Sequence, residues 1–133
     1  MHYVGKIDRN IYKCVSNDIR TDEVIISDSQ IQHIKSRHPN DFERYFKHAE
    51  LMINEPDYIL EANKPNTAFI LKHIEEDNVG FEMILRLQTS SDPANYKNSV
   101  ITFLKVEEKR YKRYLRTKKY FTNQNKYAII IIQ

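Results

Sequence analysis

Two histidines and an arginine stand close together in the run His33-Ile34-Lys35-Ser36-Arg37-His38-Pro39. These residue types suit phosphodiester cleavage by side chains alone. One imidazole takes a proton while another gives one, because imidazoles titrate near neutral pH. A guanidinium grips a phosphate through two parallel hydrogen bonds. On a helix, Gln30, His33 and Arg37 share one face at i, i+3 and i+7, while Ile31 and Ile34 define the core side. Pro39 disfavours helical geometry at His38, so that ring sits at a frayed end and can turn outward. The same spacing also fits a solvated histidine beside an arginine, with His38 serving only in packing.

The metal alternatives are poorer. Helical zinc-binding histidines lie at i, i+4 with a glutamate between them, whereas here the spacing is i, i+5 and Lys35 intervenes. No clustered acidic set resembles a two-metal nuclease site. The single cysteine, Cys14, excludes an internal disulfide and a thiolate zinc cluster. The only glycines, Gly5 and Gly80, exclude a P-loop or a Rossmann fingerprint, which need closely spaced glycines against phosphate. The expectation is a metal-free, cofactor-free site.

A second polar set lies in or beside apolar strands: Lys72, Arg86, Lys97, Thr102 and Lys105. Arg86 belongs to the less apolar face Glu82-Ile84-Arg86-Gln88. Strict alternation puts Thr102 with Val100 and Leu104, either as an ordinary β-branched strand residue or as a hydroxyl for a phosphate oxygen. Tyr111, Tyr114 and Tyr120 interleave with basic residues; the first two suit core packing and Tyr120 suits base stacking.

These residues need a scaffold, and 133 residues make one domain with a single core. The composition, 41% hydrophobic and 29% charged, fits a globular protein. Residues 105–119 hold eight basic side chains against Glu107 and Glu108, a balance of +6; with the whole chain at +3, the rest carries −3. The basicity is therefore local, suiting either polyanion binding or a solvated helix face. No apolar signal core opens the chain and the longest apolar run, Tyr127–Ile132, is too short to cross a bilayer. The expected location is the cytoplasm, or a target cell if the domain is delivered within a larger toxin.

Residues 1–22 read as an irregular arm with one strand near Ile11–Val15, followed by a strand at Val24–Ile26. Ser27 with Gln30 is a capping-box start, predicting a helix over Asp28–Arg37. Asn40 with Glu43 predicts a second helix carrying Phe42, Tyr45, Phe46, Ala49, Met52 and Ile53, ended by Pro56. The period then changes to two. Strands are expected at Tyr58–Leu60, Ala68–Ile74, Phe81–Leu87 and Ser99–Val106. Their turns are at Asn63–Asn66, at Glu76–Asn78 with Gly80, and over Thr89–Asn95. A short basic helix displays Tyr111, Tyr114 and Leu115 on one face, and Tyr127–Ile132 forms a last edge strand or tail. This is an α+β plan: helices on one face of a four-stranded or larger antiparallel sheet, with a late basic helix.

Four motifs in order carry a resemblance. They are His33-Ile34 with Arg37-His38-Pro39; Glu55-Pro56-Asp57-Tyr58-Ile59; Pro65-Asn66-Thr67-Ala68; and Tyr96-Lys97-Asn98-Ser99-Val100-Ile101-Thr102. The chain resembles the phage-associated branch of the Barnase–EndoU–colicin–RelE nuclease superfamily over about residues 24–120. The first twenty-two residues form an arm outside that core, and 121–133 form a tail. The resemblance implies metal-independent ribonuclease activity where the first helix meets the sheet, with His33, Arg37, His38 and Thr102 in the site. RNA would bind through Lys35, Lys72, Arg86, Lys97, Lys105, Lys109, Arg113 and Tyr120. An immunity or antitoxin protein is the expected partner, and the C-terminal isoleucine run could pair two copies edge to edge. Two other readings fit the same residues: a nucleic-acid-binding module without cleavage, and a phage-type regulatory domain acting through protein contacts.

Overall fold

The computed structural model describes residues 1–118, 120–122 and 129–130. Its secondary structure follows the local signals closely where they are strongest. β1 (His2–Lys6) and β2 (Glu23–Ile26) precede α1 (Asp28–Arg37), α2 (Asp41–Tyr45) and α3 (Ala49–Asn54). Four strands follow: β3 (Tyr58–Glu61), β4 (Thr67–Ile74), β5 (Val79–Arg86) and β6 (Asn98–Val106). The chain then forms α4 (Glu108–Thr117), β7 (Tyr120–Thr122) and β8 (Ile129–Ile130). The rest of the Tyr127–Ile132 run lies outside the described residues. No helix among the described residues is long and apolar enough to cross a membrane.

The strands make one sheet in the order β1-β2-β6-β5-β4-β3-β7-β8. β3 to β6 form the expected antiparallel meander. The whole sheet is mixed, however, because β2 runs parallel to β6 through Val24↔Asn98 and Ile25↔Ser99. A parallel neighbour needs a long connection, and here it contains α1–α3 and three strands. The arm also differs from expectation. Its strand is His2–Lys6, paired antiparallel with β2, whereas Ile11–Cys14 is a 3-10 turn whose Tyr12 is buried. The Tyr12 hydroxyl donates to Ile53 O at 2.7 Å, which pins this turn beneath α3.

The second predicted helix is broken. A capping residue needs an extended backbone to aim its side chain at the first amides, but Asn40 is left-handed, with φ 75°, and caps nothing through its side chain. A 3-10 turn, Phe46–His48, then separates α2 from α3. From this turn Phe46 meets Phe103 edge-on at 5.3 Å and His48 Nε2 reaches Asp77 Oδ2 at 2.6 Å. These tertiary contacts override the helical period.

Two cores flank the sheet. On one face Ile34, Tyr45, Met52 and Ile53 pack on Ile70, Phe81, Met83 and Phe103. On the other, Tyr114 packs with Leu60, Phe69, Leu71, Leu104 and Val106, and Tyr111 and Leu115 lie against this cluster. The helices thus cover both faces, not one. The stripe Tyr111-Tyr114-Leu115 requires an apolar partner, and the face opposite α1–α3 supplies it.

Candidate active site

α1 carries three of the candidate residues, and local chemistry fixes both its ends. Ser27 Oγ accepts from the Gln30 N–H at 3.2 Å, satisfying one open amide of the first turn. The helix stops at Arg37, and His38 takes a non-helical conformation, φ −134° and ψ 72°, as Pro39 demands. Its own N–H still donates to Ile34 O at 2.8 Å. β2 pairs with β6 only at Asn98 and Ser99, and α1 packs along β6. Ile34 therefore enters the core of one sheet face. His33, Arg37 and His38 line a cleft with Glu82, Ile84, Thr102, Leu104 and Arg110. The cleft has a volume of about 400 Å³.

Thr102 reaches this cleft on the same face as Leu104, and β6 is irregular just before it. Ile84 pairs with Thr102, but Leu85 pairs with Val100, so Ile101 is an extra residue. Such a bulge breaks the alternation of side chains. Val100 joins Phe103 in the α1–α3 core, while Thr102 joins Leu104 in the cleft. The expectation that Thr102 shares a face with Val100 is thereby corrected: strict period two does not survive the bulge.

Two cleft residues are ones the spacing did not single out. Glu82 lies in the middle of β5 with its side chain 6% exposed. The Tyr114 hydroxyl donates to Glu82 Oε1 at 3.2 Å, and Arg110 Nε donates to the same hydroxyl at 2.7 Å. Arg110 Nη2 stands 3.9 Å from Oε1. Burial pushes the Glu82 carboxyl above the usual range, and Arg110, the Tyr114 hydrogen bond and His38 pull it partly back. Arg110 is held above its ordinary value chiefly by its bond to Tyr114. The available signals were a lone acid inside the apolar alternation Phe81-Met83-Leu85, and the i, i+4 pair Arg110 and Tyr114. The cleft thus sets two arginines and two histidines around one buried carboxyl, a balance that suits a phosphate group.

The other expected binding residues do not line this cleft. Lys35 pairs with Glu43 at 3.0 Å. Lys72 donates to Glu55 O at 2.6 Å and lies 3.3 Å from Asp57. Arg86 is bound by Asp92 at 2.9 Å and by Leu87 O, and Lys97 by Glu23. Lys105 lies 6.0 Å from the Tyr45 ring. Lys109 and Arg113 are exposed on α4. Tyr120 begins β7, and its side chain lies outside the description. One cluster among the described residues has metal-ligand chemistry, His48 with Glu76 and Asp77. None of its members lines the cleft, and Lys47 pairs with Glu76 at 3.2 Å.

Fold and cleft together define a small α+β domain with a phosphate-suited site built from side chains. Residues 2–126 match the profile of the family described as phage-Barnase-EndoU-ColicinE5/D-RelE like nuclease2, and the chain belongs to that nuclease family. The match includes β1, which the four motifs did not reach. No curated protein and no solved structure matches the chain.

Proposed function

We propose that the chain is a metal-independent endoribonuclease. The RNA 2′-oxygen attacks the adjacent phosphorus while its proton passes to one imidazole. The bond from phosphorus to the 5′-oxygen breaks, and the other imidazole protonates that leaving oxygen. The products are a 2′,3′-cyclic phosphate and a 5′-hydroxyl end. His33 and His38 are the proton-transfer pair, and Arg37 and Thr102 hold the phosphate oxygens. Arg110 adds a second guanidinium where negative charge develops. Arg86, held by Asp92, has no part in the step.

The observation that carries this reading is the convergence of His33, Arg37, His38 and Thr102 on one cleft, although Thr102 is far from the others in sequence. α4, whose basic residues flank Arg110, gives RNA its approach. An RNA-cleaving domain harms the cell that makes it, so a neutralising protein partner belongs to the same reading.

Total RNA incubated with the protein in EDTA tests it. Wild type should leave cyclic-phosphate ends. His33→Ala and His38→Ala should each lose about 10²- to 10⁴-fold in rate. Undiminished cleavage by both variants would sink the site, and a requirement for Mg²⁺ would sink the mechanism.

A further inference from the structure

A second cavity, of about 510 Å³, opens on the same sheet face as the cleft. Its walls include His73, Gly80, Val106 and Tyr111. Its position follows from the register. Gly80 is two residues from Glu82 on β5, and Val106 is two from Leu104 on β6, so both strands run from the cavity into the cleft. Two residues of strand cover about 7 Å, comparable to the length of one nucleotide in an unstacked strand. On α4, Arg110 lines the cleft and its neighbour Tyr111 lines the cavity. The two hollows are therefore consecutive along the sheet.

Their chemistry differs. The cleft is rich in cations around Glu82. The cavity sets Lys112 against Glu107 and Glu108, and Lys112 is already paired with Glu108 at 2.8 Å; Lys105 lines its edge, but its ammonium stands by the Tyr45 ring of the other core. A partly apolar hollow with no surplus of positive charge is a poor phosphate site and a good one for a flat, uncharged group. Tyr111 supplies the aromatic surface. Its ring packs so near Gly80 that a Cβ there would stand 2.6 Å from Cδ2, and it meets Tyr58 edge-on at 6.2 Å. The ring is thus fixed before any ligand arrives, which lowers the entropic cost of stacking. The volume lies within the range of small-ligand sites.

We infer that this cavity is a nucleobase subsite: it takes the base next to the phosphate held in the cleft, stacked on Tyr111. The inference rests on the nuclease reading for its substrate class, and it adds a position at which the enzyme senses a base. The test uses the whole chain and a short, non-cleavable 2′-O-methyl oligoribonucleotide, with each position in turn made abasic. Anisotropy should show one position where base loss weakens binding about tenfold, and Tyr111→Leu should abolish that difference. In wild type, the amide signals of Gly80 and Val106 should shift with the full probe and not with that abasic probe. This readout holds even if Tyr111→Leu fails to fold. Equal affinity for every abasic probe, or unmoved Gly80 and Val106 signals, would overturn the subsite. Base-dependent binding without cleavage of unmodified RNA would leave the subsite standing and remove the nuclease reading; cleavage without base dependence would do the reverse.

Discussion

The Tyr114 hydroxyl donates to Glu82 Oε1 at 3.2 Å, joining α4 to the centre of β5 at the floor of the cleft. Because Arg110 donates to the same hydroxyl, one tyrosine couples a buried acid to a partly exposed arginine. The late basic helix thereby becomes part of the site rather than a charged appendage.

Glu82→Gln should raise stability at neutral and alkaline pH. Burial places the folded-state pKa of Glu82 above the unfolded value of 4.5. A raised carboxyl contributes stability below the unfolded pKa and loses it as pH rises through the folded one. Glutamine stays neutral and still accepts from Tyr114. Urea midpoints should favour the variant at pH 8 and converge with wild type below pH 4.5.

Ser27→Ala should cost about 1 kcal/mol, because it removes the acceptor for the Gln30 amide. The urea midpoint should fall with no change in slope. An unchanged midpoint would mean that packing of Ile34 alone secures the start of α1.

Gly80→Ala should destabilise by about 1–3 kcal/mol. A Cβ would meet Tyr111 at 2.6 and 2.9 Å, so the ring must move. Chemical unfolding measures the loss, and the Tyr111 ring resonances should shift in the folded variant.

Lys109→Ala and Arg113→Ala should each weaken RNA binding uniformly across sequences. Each should also reduce the salt dependence, lowering the slope of log K against log salt by about 0.7. Anisotropy titrations over a range of salt check this. A change in sequence preference instead would mean that these side chains read bases.

Turns and caps show where local chemistry suffices. Asn66 adopts φ 56° in the Pro65-Asn66 turn, and Asn78 adopts φ 51° before β5, as short polar side chains tolerate. Gly80 was expected to belong to that second turn, but it lies within β5 without positive φ. Its missing side chain serves the approach of Tyr111. A glycine's reason is local in a turn and tertiary in a strand, and spacing alone does not separate the two.

By itself the sequence determined α1, from Ser27 to the stop before Pro39, and so the grouping of His33, Arg37 and His38. It also determined the four strands of the meander. These features depend on neighbours a few residues apart, where caps, proline and side-chain period act directly. Tertiary structure decided the rest: the parallel seating of β2, the break between α2 and α3, the bulge at Ile101 that parts Val100 from the face of Thr102, and the meeting of Glu82, Tyr114 and Arg110. Each needs contacts between segments far apart in the chain. Their formation depends on how whole faces pack, which no local period encodes.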